Sequence, residues 1–157
     1  MDTFDTRHQV EQLQIDYAYC IDSGHFEDWP EFFTDECVYQ IISRDSYEQG
    51  HESGFYYCRS KNMLRDRVLA LRETTIYEPQ RYRHIIGGTR ILESDEKRCR
   101  AESNLIVVRT LQAGEMGIFA AGAYLDTITF ESGTPKFIEK VVVTDSPQID
   151  MLLAGPL

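Results

Sequence analysis

Asp22, Tyr39 and His84, with Asp16 and Tyr17 on the first amphipathic stretch, are the side chains here that could exchange protons with a substrate. A carboxylate, a phenol and an imidazole around one pocket form a general acid–base set, because burial moves their pKa values toward working pH. The competing reading of the same residues is structural. It makes Asp22 a helix-terminal residue beside Gly24, Tyr39 a half-buried strand residue, and His84 a hydrogen-bonded residue at a strand start.

Other chemistry finds no matching pattern. Cys20, Cys37, Cys58 and Cys99 form no CxxC pair and none has a histidine close behind it, so no zinc knuckle, redox motif or two-Cys, two-His Rieske centre is expected. They read as free, mostly buried thiols. His25 and Glu27 have a spacing that suits an iron site, but they fall in a break between two helices, and His8, His51 and His84 lack partner spacing. No metal or cofactor is expected in this chain. Gly87-Gly88 interrupts a strand pattern and marks a bulge rather than a phosphate loop, and no GxSxG elbow occurs.

The elements that must position these residues follow from periodicity. Val10, Leu13, Tyr17 and Ile21 recur at helical spacing, which predicts a first helix over Arg7–Ser23, opened by the capping-box form at Thr6 and stopped by Gly24. Phe26–Phe33 reads as a short second helix with Pro30 in its first turn, and Cys37–Ile42 as a first strand. Ser43–Gly54 is polar and reads as a loop. Ser60 caps a third helix whose face is Met63, Leu64, Val68 and Leu71. Strands are then predicted over Tyr82–Leu92, Cys99–Leu111, Ile118–Phe130 and Phe137–Thr144, separated by turn signals. Helices followed by a long antiparallel meander make an α+β fold over residues 1–157 as one domain, with a strongly curled sheet wrapped on the first helix. The apolar tail, Met151, Leu152, Leu153 and Leu157, is expected to dock on this chain or a neighbour.

The 157 residues carry 16 Lys and Arg against 26 Asp and Glu, a formal net charge of −10. Residues 1–60 hold 13 acids and 3 bases, so the whole excess lies there. One short basic run, Arg59–Arg83, is too little for a nucleic-acid reader. No stretch approaches the roughly 20 apolar residues of a membrane span, and the acidic start is unlike a signal peptide, so a cytoplasmic location is expected. Arg67, Arg72 and the run Tyr77–His84 suit either a docked partner or a small acid, since Arg and Tyr are enriched at contacts between proteins.

Several segments together carry a resemblance that covers nearly the whole chain in order. They are Ile21-Asp22-Ser23-Gly24 with Asp28-Trp29-Pro30-Glu31-Phe32-Phe33, then Asp66–Arg72, Arg81–Gly87, Ala121–Asp126, and Val142–Ser146 with the Leu-rich tail. The chain resembles the small (beta) subunits of aromatic-ring-hydroxylating dioxygenases. Within that family it is most similar to those of terephthalate dioxygenase and salicylate 5-hydroxylase systems, also through Glu73-Thr74-Thr75-Ile76-Tyr77. Ser43–Gly54 departs from the family's pattern.

The resemblance implies a cystatin-like, nuclear-transport-factor-2-like cone. It also implies trimeric self-association and assembly with a catalytic alpha subunit as α3β3. The Rieske [2Fe–2S] cluster and the mononuclear Fe(II) would belong to that partner. Docking is expected through Arg67, Arg81, Tyr82, Arg83 and His84, with Asp126 pairing an arginine, while the acidic part stays solvated. The alternatives are a stand-alone dehydratase or isomerase of the same fold using Asp22, Tyr39 and His84, and a small-ligand-binding homodimer.

Overall fold

The stripe Val10, Leu13, Tyr17 and Ile21 is fully or nearly buried along helix α1 (Thr3–Asp22). The structure, a computed structural model, describes residues 2–52, 54–73, 80–148 and 155–157. Residues 74–77 of the Glu73–Tyr77 motif, the start of the basic and aromatic run at 77–79, and tail residues 149–154 lie outside them.

α1 begins four residues before the predicted start. Thr6 is not a cap: inside the helix, its hydroxyl donates back to the Asp2 carbonyl (3.2 Å), the bond a threonine makes to the preceding turn. The C-terminus is as expected. Gly24, at φ +73°, takes the left-handed position, with its N–H on the Ile21 carbonyl and that of His25 on Cys20.

The predicted second helix is only one tight turn, Trp29–Phe32, with Pro30 in it. Trp29 and Phe33 pack edge to face at 5.9 Å, both fully buried, which draws the chain into the core before a second turn forms. The chain then enters β1 (Phe33–Ser43), longer than predicted. Ser43 caps a short helix α2 (Arg44–Glu48), accepting from the Ser46 N–H, where a loop was expected. This segment is tied over β1: Gln40 donates to the Glu52 carbonyl (2.6 Å) and the Phe55 N–H to that of Ile41 (2.8 Å). Ile42, Val141 and Val143 form a second small core, packed with half-buried Leu125.

The strand β2 (Tyr56–Ser60) was not predicted. Ser60 caps α3 (Lys61–Glu73) as expected, accepting from the Met63 N–H. Leu64, Val68 and Leu71 are buried, but Met63 is 39% exposed, and Lys61 takes the inward place instead.

The meander strands β3 (Gln80–Ser94), β4 (Arg98–Leu111), β5 (Met116–Thr129) and β6 (Lys136–Thr144) lie within two residues of the prediction. They pair antiparallel, but β1 runs parallel to β6, so the open six-stranded sheet, ordered β2-β1-β6-β5-β4-β3, is mixed rather than antiparallel. About ninety residues separate these two strands, and a connection of that length permits parallel pairing. Register shifts at Gly87–Arg90, where Gly88 has φ +62°, and at Val107–Val108 and Thr127–Ile128 bend the strands around α1. Tyr17 sits at the centre, edge to face with Phe33, Tyr124 and Phe137 at 5.6–6.3 Å.

Candidate functional site

Two of the three predicted acid–base residues meet. Asp22, the last residue of α1, receives the backbone N–H of His84 on Oδ2 (2.9 Å) and faces its Nδ1 with Oδ1 (2.6 Å). Both side chains are largely buried, and the pair staples the end of the helix to β3. His84 Nε2 and the Tyr124 hydroxyl are enclosed with no hydrogen-bond partner among the described residues.

Tyr39 is held apart from that pair. Its hydroxyl donates to the main-chain oxygen of Leu157 (3.0 Å) and accepts from the Leu157 N–H (2.8 Å). Tyr17 also donates to the Leu157 oxygen (2.9 Å) and accepts from the Trp29 indole (3.2 Å). Burial drives the phenols of Tyr17, Tyr39 and Tyr124 well above their ordinary pKa, which keeps them neutral. Burial likewise pushes the free thiols of Cys20, Cys37 and Cys99 up to about 11, so they are poor nucleophiles near neutral pH. Among the described residues, no three His, Cys, Asp or Glu side chains come together as a metal site.

Asp126 was expected at a subunit surface paired with an arginine. It is interior, and its partner is the fully buried Lys140 on the adjacent strand, 3.1 and 3.2 Å away. The Lys140 ammonium lies 3.5 Å from the Tyr124 ring centroid, 4.2 Å from Phe137 and 4.7 Å from Tyr17. Gln14 donates to Asp126 (3.0 Å) and to Ser103 (2.9 Å), and Thr89 completes the network. Burial pulls Lys140 down to about 8, against the opposing pull of Asp126, and raises Asp126. Sequence reasoning missed this pair. The signal was two charged residues at inward places, Asp126 two residues beyond Tyr124 and Lys140 two before Val142.

The expected docking residues divide. Arg81 and Arg83 point outward from β3, whereas Tyr82 packs on Phe119 (5.1 Å) and His84 is inside, because a strand alternates its faces. Arg67 lies on α3, its guanidinium 4.6 Å over the Tyr56 ring of β2, at the opposite edge of the sheet order. The acidic half and the basic run are not set apart either. Lys61 pairs with Glu31 and Asp35, Arg65 with Glu31, and Arg72 with Glu27.

The last pair makes a prediction. Two Arg72 bonds, 2.7 and 2.8 Å, hold the Glu27 carboxyl down to about 2 from 4.5. A depressed acid contributes stability that is present above its unfolded pKa and lost as pH falls through the folded one, so this contribution disappears between about 4.5 and 2. Carboxyl NMR titration is expected to show that midpoint, and Arg72→Ala to return it toward 4.5. A midpoint that stays low in the variant refutes the assignment.

Residues 17–151 match the family model of the ring hydroxylating beta subunit. The chain is 40% identical over 149 residues to subunit beta 2 of the terminal oxygenase component of terephthalate 1,2-dioxygenase from Comamonas, covering 95% of this chain and 97% of that one. It is 35% identical over 152 residues to the anthranilate 1,2-dioxygenase small subunit of Burkholderia cepacia, covering 97% and 94%. A solved structure from Novosphingobium aromaticivorans, described as the beta subunit of an aromatic-ring-hydroxylating dioxygenase, matches with TM-score 0.89 and 33% identity over 97% of each chain. With matches of this identity running nearly end to end, on the fold the resemblance implied, the chain belongs to the ring-hydroxylating beta-subunit family.

Proposed function

We propose that this chain is the structural beta subunit of a multicomponent aromatic-ring-hydroxylating dioxygenase, holding a catalytic alpha subunit in an α3β3 particle in the cytoplasm. The Rieske cluster and the mononuclear iron reside in that partner, and the whole of residues 1–157 forms one supporting domain. The relatives are subunits of dioxygenases named for terephthalate and anthranilate, both aromatic carboxylates, and this supports an aromatic carboxylate as the substrate class of the complex.

One observation carries the reading over the dehydratase alternative. Tyr39, the phenol an acid–base pocket needs, has its hydroxyl committed in both directions to Leu157. The outer face of the sheet supplies the contact instead. Ile85 lies beside Ile106, and Val108 between Ile118 and Arg83, exposing an apolar strip edged by Arg81 and Arg83. Large exposed apolar patches mark association sites.

The test is coexpression with an alpha subunit that carries the Rieske Cys and His pattern, followed by native mass measurement and turnover per particle. An α3β3 mass is expected, and Asp22→Asn or Tyr39→Phe leaves turnover per assembled particle unchanged. The reading is lost if the isolated chain turns over a substrate, or if those variants abolish turnover in particles that assemble normally.

A further inference from the structure

Two buried polar atoms, His84 Nε2 and the Tyr124 hydroxyl, meet no donor or acceptor among the described residues. The His84 side chain is 2% exposed and Tyr124 is fully enclosed, so bulk solvent does not serve them. Neither is free to turn toward a partner. Asp22 holds the imidazole at Nδ1 (2.6 Å), which fixes the ring and the direction of Nε2. The Tyr124 ring is fixed by Tyr17, edge to face at 6.2 Å, and by the Lys140 ammonium, 3.5 Å from its centroid.

The lining between them is small. Ala18 lies one helical turn before Asp22 on the same side of α1, and Ala120 of β5 stands in the row of His84, joined to it through Val107 of β4. Both alanines are buried. From Ala120 toward Tyr124 the next place on that face of β5 is Gly122, which has no side chain. Burial is the main cause that opposes ionisation of the Tyr124 phenol, and the Asp22 carboxylate adds to it, so the Asp22–His84 pair and this hydroxyl lie within electrostatic reach.

We propose that His84 Nε2 and the Tyr124 hydroxyl line one buried hydration site, in which internal water completes both groups and links the Asp22–His84 pair to the ring that covers Lys140. Internal waters occupy enclosed polar places of this kind, making about three hydrogen bonds each. A neutral molecule that both donates and accepts suits Nε2 in either imidazole tautomer and a phenol in either role. A metal ion finds too little here, with one imidazole nitrogen and a neutral phenol. This inference does not depend on the assembly reading, and its test involves no partner subunit.

A crystal structure of the full chain, at a resolution that shows ordered water, is the direct test. Water is expected within about 3.2 Å of His84 Nε2 and of the Tyr124 hydroxyl. Either atom dry, or paired with a protein group, overturns the proposal. Tyr124→Phe gives an independent test in solution through the sign of its effect. Deleting a dry, unpaired hydroxyl would stabilise the chain, whereas deleting a hydrated one should lower the unfolding midpoint by about 2 to 4 °C, the loss of one hydrogen bond. The 15N resonance of His84 Nε2 should shift in the same variant. An equal or higher midpoint, or an unmoved Nε2 resonance, overturns the link between the two groups.

Discussion

Asp126→Ala is expected to destabilise the chain by about 3 to 5 kcal/mol, because it leaves the Lys140 ammonium buried without its counter-charge. For a chain of this size that corresponds to a fall of about 10 °C in the unfolding midpoint. The three aromatic faces around Lys140 soften the loss but do not replace an ion pair, since a cation over a ring is worth about 2 kcal/mol even when desolvated. Asp126→Leu combined with Lys140→Met should recover most of the loss, as apolar replacements of buried pairs commonly do. If Asp126→Ala unfolds within about 2 °C of the parent, the pair is not what fixes α1 to the sheet through Gln14.

The same pair gives a signed pH dependence. Lys140 in the folded chain titrates near 8, below its ordinary 10.5, because burial penalises the charge. Between those values the unfolded chain holds a proton that the folded chain has released, so the Lys140 contribution to stability rises with pH. It is complete above 10.5 and lost as pH falls through about 8. Denaturant unfolding from pH 7 to 10 should show the parent gaining stability relative to the apolar double variant. Parallel curves refute the depressed lysine.

The contrast between Tyr17 and Lys140 shows which parts of the fold were legible. Tyr17 belongs to a stripe of apolar residues at helical spacing, and local periodicity was enough to place it inside. Gly24, Pro30, Ser60 and the Gly87–Gly88 bulge were legible for the same reason: each acts through the backbone of its own neighbourhood. β2 was missed because five residues after a polar segment carry too little pattern, and they are held as a strand only by pairing with β1. The parallel contact of β1 with β6 and the capture of Leu157 depend on contacts across more than ninety residues, which no local rule encodes. Lys140 would have been visible only once the β5 and β6 registers were known.

The candidate site was legible residue by residue but not as a constellation. Asp22 and His84 were singled out and do meet; Tyr39 was singled out and is engaged elsewhere. The family was legible from the order of whole segments, which needs no geometry. Charge misled at tertiary range: acids of the first sixty residues and bases of α3 looked like separate faces, yet Glu27, Glu31 and Asp35 are the partners of Arg72, Arg65 and Lys61. Those neutralised side chains are weak candidates for docking, which shifts attention to the outer face of β3, β4 and β5.

Ile85→Asp with Ile118→Asp in one chain is therefore expected to abolish assembly while leaving the subunit folded. The two side chains are 55% and 71% exposed, so the monomer loses little apolar burial, and surface substitutions of this kind usually fall within about 0.5 kcal/mol. In an assembled particle the same carboxylates would be desolvated against an apolar partner. Each such buried, unpaired charge costs about 2 to 5 kcal/mol, which together lowers affinity by roughly a thousandfold or more. Asp16→Asn, on the exposed side of α1, is the matched control and should assemble as the parent does. Sedimentation of the coexpressed subunits distinguishes the outcomes: a free small subunit with a parent-like unfolding midpoint places the contact on this face. A full-size particle from the double variant would move the contact off this face without touching the family assignment, which rests on the sequence match rather than on where the subunits meet.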